Sequence, residues 1–241
     1  MVTRNGLRLA LLSGAAVLSI TPAAAYAAEA ASGAKVDEIV VLAKRQQYRG
    51  DVPLQELPQN LNVVSSELLK NVDVTTLDKA LELVSGFEHQ NNFGGLWNAF
   101  AIRGFVGDPN LPSGYLINGF TSGRSFAGPR DTSDVQEIDV LKGPSSALFG
   151  RGEPGGAINI ITKKPLFTPQ GYLSVQGGSY NTYRAEVDFT TGVRDALAFR
   201  INGAYEEGYS VRDSIHYKKA FVPPSVLLKI DAGTRVTYEL A

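Results

Sequence analysis

Thr182-Tyr183-Arg184-Ala185-Glu186-Val187-Asp188-Phe189-Thr190 alternates without a break: Tyr183, Ala185, Val187 and Phe189 are apolar, while Arg184, Glu186 and Asp188 are charged. A period of two belongs to an extended strand, whose successive side chains point to opposite faces. The alternation recurs from Gln170 to the last residues. Leu197, Phe199, Ile201 and Tyr205 alternate with Arg200, Asn202 and Glu206; Val226, Leu228 and Ile230 with Lys229 and Asp231; Val236, Tyr238 and Leu240 with Arg235, Thr237 and Glu239.

A soluble antiparallel sheet with one wet face has this pattern too. Three features favour a transmembrane β-barrel instead. One face is charged in nearly every segment, the segments are about ten residues long, and tyrosines sit near segment ends, where a barrel carries its interfacial girdles. Residues 166–241 therefore read as the start of an antiparallel barrel, with room for about five strands at roughly 15 residues per strand and turn. Five strands do not close, and open edges do not survive in lipid. The run ends at Ala241 inside an alternating strand, as a shortened gene product or a partial sequence would.

Upstream the period changes. Residues 53–165 read as a compact α+β domain, a small mixed sheet with short helices, opened by Pro53 and Pro58 and closed by Lys163-Lys164-Pro165. Leu61 to Val64 is a short strand. Thr76 is placed to cap a helix with Leu77, Ala80, Leu81 and Val84 on one face and Gly86 at its end. Val135 to Leu141 and Ala157 to Thr162 are strands separated by the glycine-rich run Gly143 to Gly156. Residues 28–52 form a polar lead with one β-prone island, Ile39-Val40-Val41.

The first 27 residues have the composition of an export signal: Arg4 and Arg8, then the apolar run Leu9 to Ile20, then Ala25-Tyr26-Ala27 as a small-x-small cleavage site. The run is shorter than the about 20 apolar residues of a helical span. No later stretch could span as a helix, so membrane residence would come from the barrel.

Apolar residues make up 44% of the 241, ordinary for a folded chain, and the net charge of -1 offers no basic field for nucleic acid. Cysteine is absent, which removes disulfides, thiolate metal sites and a cysteine nucleophile. The two histidines, His89 and His216, are too few for a multi-histidine metal centre. Gly143 to Gly156 is not a P-loop, because Gly150 is followed by Arg151-Gly152 and the first gap is too long. Its glycines and prolines read as two tight turns between strands. Nothing assembles a nucleophile, base and orienting group, so no catalytic residue is assigned.

The run from Val140-Leu141-Lys142-Gly143-Pro144 through Leu148-Phe149-Gly150-Arg151-Gly152-Glu153-Pro154-Gly155-Gly156 to Lys163-Lys164-Pro165 closely resembles the plug signature of TonB-dependent siderophore receptors. Ile102-Arg103-Gly104-Phe105, Tyr115-Leu116-Ile117-Asn118-Gly119 and the Leu77–Gly86 helix resemble further plug motifs in the same order. Gly178-Ser179-Tyr180-Asn181-Thr182-Tyr183-Arg184 and Tyr205 to Asp213 resemble the barrel start of ferric-hydroxamate receptors. The resemblance covers nearly everything after the export signal.

It implies an outer-membrane receptor, with lipid around the barrel, that imports ferric siderophores without covalent chemistry. Arg103 and Arg151 would lock plug to barrel through wall glutamates located after Ala241; the alternative is that each satisfies local carbonyls. Asp37-Glu38-Ile39-Val40-Val41 would be the TonB box, adding a strand to the TonB energy-transducing complex; the alternative is a tail with chance valines. Because the box follows the cleavage site closely, no signalling domain is expected before it. The outward loops Gln90 to Trp97, Val106 to Ser113 and Ser122 to Arg130 would touch the ligand. They offer Phe93, Trp97 and Phe126 for stacking, Arg124 for anionic oxygens, and Asn110. Iron would arrive wrapped in its siderophore, so no resident cofactor or protein metal ligand is expected. Receptors for cobalamin, haem or oligosaccharide, and a free periplasmic binding module, are the alternatives.

Overall fold

The computed structural model describes residues 60–90, 98–106, 114–123, 128–144, 154–210, 215–231 and 233–240. The mixed domain begins with β1 (Asn60–Ser65), which leads into the short helix α1 (Ser66–Asn71), capped by Ser65 Oγ accepting from Leu68 N at 3.2 Å. A second helix, α2 (Leu77–Glu82), buries Leu77, Ala80 and Leu81, the face set by its apolar spacing. Thr76 stands at its N-cap with extended backbone but makes no capping bond through its side chain. The Leu77 N–H donates instead to Arg130 O at 2.9 Å. The helix closes at Glu82, before Gly86. Leu83 and Val84 bond back three residues, to Ala80 O and Leu81 O, which tightens the last turn.

Strands β2 (Phe87–His89), β3 (Phe100–Ile102) and β4 (Phe105–Val106) form a small antiparallel sheet in chain order. Strands β5 (Tyr115–Ile117), β6 (Phe120–Thr121), β7 (Val135–Lys142) and β8 (Gly156–Thr162) join β1 in a five-stranded sheet of order β1-β7-β8-β5-β6. It is mixed because β5 and β8 run parallel. Ile138 and Val140 of β7 with Ile158 and Ile160 of β8 pack against Leu69, Leu77, Leu81 and Phe100 in one core. Two hairpins turn on a left-handed residue followed by glycine: Arg103 (φ 52) with Gly104 (φ 79), and Asn118 (φ 52) with Gly119 (φ 83). That is the turn whose twist matches paired strands.

The second sheet is the wall. Its strands are β9 (Gln170–Gly178), β10 (Thr182–Arg194), β11 (Leu197–Tyr209), β12 (His216–Phe221), β13 (Pro224–Lys229) and β14 (Arg235–Glu239), all antiparallel. Six strands fill five rows, because β12 and β13 lie end to end along β11, from Tyr209↔His216 to Leu197↔Leu228. Pro223 interrupts that row, since proline cannot donate to a ladder. Among the described residues the sheet does not close: β9 and β14 are its ends.

The sidedness of the wall decides between soluble sheet and barrel. Tyr183 is 64% exposed and Arg184 only 4%. Phe189, Ile201 and Tyr205 face outward as well, while Asp188, Asn202 and Glu206 are buried against the mixed domain. A soluble sheet hides the apolar set and wets the charged one; this one is inverted, as lipid on one side and a polar lumen on the other require. Among the described residues no helix is long and apolar enough to cross a membrane.

Candidate functional site

The wall's inward charges converge on three short segments of the mixed domain. Arg184, on β10, forks onto Asp131, with Nη1 donating to Oδ2 at 2.7 Å and Nη2 to Oδ1 at 2.9 Å. The same guanidinium donates to Glu186 at 3.0 Å and Glu206 at 3.1 Å. Asp131 is held in place by Ser133 N, which donates to its Oδ1 at 2.9 Å. Burial pushes the Asp131 carboxyl up, but the bonds and charge of Arg184 outweigh it and hold the group below the usual carboxylate range.

The second cluster centres on Asp188. Arg200 grips it with two bonds, Nε at 2.8 Å and Nη2 at 2.7 Å, and Lys163 of the mixed domain lies 3.1 Å away. Lys163 also donates to Ser133 O at 2.6 Å. Burial pushes its ammonium pKa down, against the pull of Asp188. A third carboxylate, Glu239 on β14, accepts from Asn118 Nδ2 at 2.8 Å and Thr162 Oγ1 at 2.7 Å, and pairs with Lys164. These contacts draw on the lead-in to β7 (Arg130–Asp134), the exit of β8 (Thr162–Lys164) and the β5–β6 turn. The first two are places where a strand end delivers polar groups to the sheet margin. Taking such charges out of water is costly unless every partner is present, so the clusters hold only as complete sets.

Of the residues singled out by sequence, Arg103 is described. Its N–H donates to Gly86 O at 2.8 Å, and a β-carbon at Gly143 would sit 3.5 Å from its Nη1. Gly155 leaves no room at all: a β-carbon there would be 2.3 Å from Ile102 O and 2.9 Å from Phe105 Cβ. The Arg103 hairpin and the ends of the glycine-rich run that carries Arg151 are thus packed together. An arginine at positive φ is strained by about 1–2 kcal/mol, a kind of strain that concentrates at functional positions. Arg103 is exposed and pairs with no carboxylate among the described residues. Arg151, Asp37 to Val41, Phe93, Trp97, Asn110, Arg124 and Phe126 lie outside the described residues.

Sequence reasoning did not single out Asp131, Lys163, Arg184, Asp188, Glu206 or Glu239. The signal for the wall members was present, because each occupies the charged phase of an alternating strand. Asp131 and Lys163 flank strands in irregular chain, where no periodicity marks a buried charge.

Residues 53–157 match the family model for the TonB-dependent receptor plug domain. These residues form a TonB-dependent receptor plug. The metal-pseudopaline receptor of Pseudomonas aeruginosa is 30% identical over 193 residues, covering 79% of this chain and 27% of that protein. The ferrioxamine receptor of Yersinia enterocolitica is also 30% identical over 193 residues, covering 76% of this chain and 26% of its own. The ferric-catecholate import receptor Fiu of E. coli, in its open crystal form, superposes with a TM-score of 0.69 at 26% identity, over 80% of this chain and 28% of that one. That coverage reaches past the plug into the wall strands. The chain spans about a quarter of the length of these relatives, each of which is named as a receptor.

Proposed function

We propose that the chain is the plug and first wall strands of an outer-membrane receptor that imports ferric siderophores, exported by residues 1–27 and energised through Asp37 to Val41 by the TonB complex. The observation that carries this reading is the inverted wall, apolar outward and ionic inward, tied by Arg184 and Asp188 to a plug that fills its inner side. Such an arrangement suits a blocked pore whose stopper is held by charges. Phe93, Trp97, Asn110, Arg124 and Phe126 would meet the chelate, whose iron is cargo rather than a resident cofactor. Cells lacking their own siderophore receptors and given the full-length gene are expected to accumulate radiolabelled ferric siderophore only when TonB is intact. Uptake without TonB, or none with any ferric siderophore tested, would overturn the reading.

The name of the Pseudomonas relative favours a second reading, a chelate carrying another metal. Competition between the iron-loaded chelate and chelates of other transition metals separates the two. Arg103 and, with it, Arg151 would pair with wall glutamates in the full-length receptor. Arg103→Ala is then expected to cost about 3–5 kcal/mol at that contact if the pair is buried, and so to lower the plug's denaturation midpoint. An unchanged midpoint in a receptor where Arg103 is buried would assign the arginine to turn geometry alone.

A further inference from the structure

Asp139 lies at the middle of β7, 3% exposed, and among the described residues its Oδ2 has no hydrogen-bond partner. Directly opposite on β8 is Asn159, also buried, whose Oδ1 accepts from Gly119 N at 2.8 Å while its Nδ2 has no partner among the described residues. On the other side, Val63 of β1 faces Asp139 across the ladder. Alternation puts Leu61, Ser65, Ala157 and Ile161 around it on the same face, none of them titratable. The charge that bears on it is Glu137, two residues away on its own strand. Among the described residues no cation faces this buried carboxyl and no group donates to its Oδ2, which disfavours the anion, so the group keeps its proton. Burial, helped by Glu137, pushes the Asp139 carboxyl up to about 8.

The topology gives this proton a means of release. β1 is the edge of the five-stranded sheet and the first described strand of the plug, so it can leave without breaking any other described pairing in that sheet. Its six residues pair with β7 from Asn60↔Lys142 to Ser65↔Glu137 and cover Asp139 through Val63. Once β1 departs, water reaches the carboxyl, which in water ionises near pH 4.

We propose that Asp139 is a proton latch on the plug: the sheet closes with the carboxyl protonated, departure of β1 releases that proton, and the ionised side chain opposes closure until a proton returns. The use of such a latch in transport rests on the receptor reading above, while the linkage itself does not. The sign follows from the raised value. Stability is full below pH 4, where the opened state is protonated too, and is lost as pH rises toward 8.

The test uses the full-length receptor in detergent, with Val140→Cys as a buried thiol reporter on β7. Thiol labelling, divided by the rate for the unfolded protein at each pH, reads the opening equilibrium. Opening should rise by up to about tenfold per pH unit between pH 5 and 7.5. Asp139→Asn should flatten that slope, and Asp139→Leu, which removes the titrating group in a different way, should do the same. Glu137→Gln should move the upper inflection to lower pH and leave a slope behind. A slope that survives in whichever Asp139 variant folds, or a flat profile in the parent, overturns the proposal. Either result leaves ferric siderophore uptake by the parent receptor untouched, so failure here is distinct from failure of the receptor reading.

Discussion

Arg184→Ala in the full-length receptor is expected to destabilise the plug–wall joint by about 3–5 kcal/mol, because it strands three carboxylates around an empty, dry space. Asp131, Glu186 and Glu206 all lose their shared cation at once. The measurement is plug unfolding by denaturant, followed by a probe on the plug while the barrel stays folded. Arg184→Lys should recover little, since an ammonium cannot make the two-pronged contact that Asp131 receives at 2.7 and 2.9 Å. Adding Asp131→Asn to Arg184→Ala should cost much less than the sum of the two single changes, because the second removes a charge that the first left unpaired. Strict additivity would mean that the pair seen in the structure contributes nothing to holding the plug. Acid should act in the same place but with the opposite sign to Asp139. Asp131 has a depressed pKa, so its share of stability is present above about pH 4 and is lost as pH falls through the folded-state value.

What was legible in the sequence, and what was not, divides along periodicity. The wall strands β10, β11, β13 and β14 were each found from their period of two, since alternation is a long-range signal that one odd residue does not erase. The row formed by β12 and β13 was read only in its second half. In His216–Phe221 both phases carry a lysine and neither phase is uniformly apolar, so no face could be assigned. Likewise β2 to β6 are two or three residues long and hold together through turns such as Asn118-Gly119 rather than through a pattern. The α2 face was right and its end was not, because the final turn tightened before Gly86 was reached.

The site was harder to read than the fold. An inward charge on a barrel strand announces only that the face is polar. Whether it meets water or a partner depends on what fills the lumen, and that filler is distant in sequence: 53 positions separate Asp131 from Arg184. Arg103 stood out because its motif is local. Its hairpin brings two remote glycines, Gly86 and Gly143, against one side chain, a convergence that only the fold could reveal.

Proline in the lead segment is expected to abolish transport while leaving ligand capture intact. The argument turns on the backbone. If Asp37 to Val41 adds a strand to the energy transducer, affinity comes mainly from main-chain N–H and C=O groups. Conservative side-chain changes should then be tolerated, and Val40→Ala should keep most of its uptake. Proline removes a donor and fixes φ near -65°, which interrupts a ladder wherever it falls. Ile39→Pro or Val40→Pro in the full-length receptor should therefore eliminate accumulation of radiolabelled chelate inside the cell, while surface binding measured on the same cells stays at the parental level. The two readouts separate the possible failures: a misfolded receptor loses both, and a receptor uncoupled from its energy source loses only the first. Normal transport by both proline variants would make the segment an inert leader, and the contact with the transducer would then have to involve plug residues after Pro53.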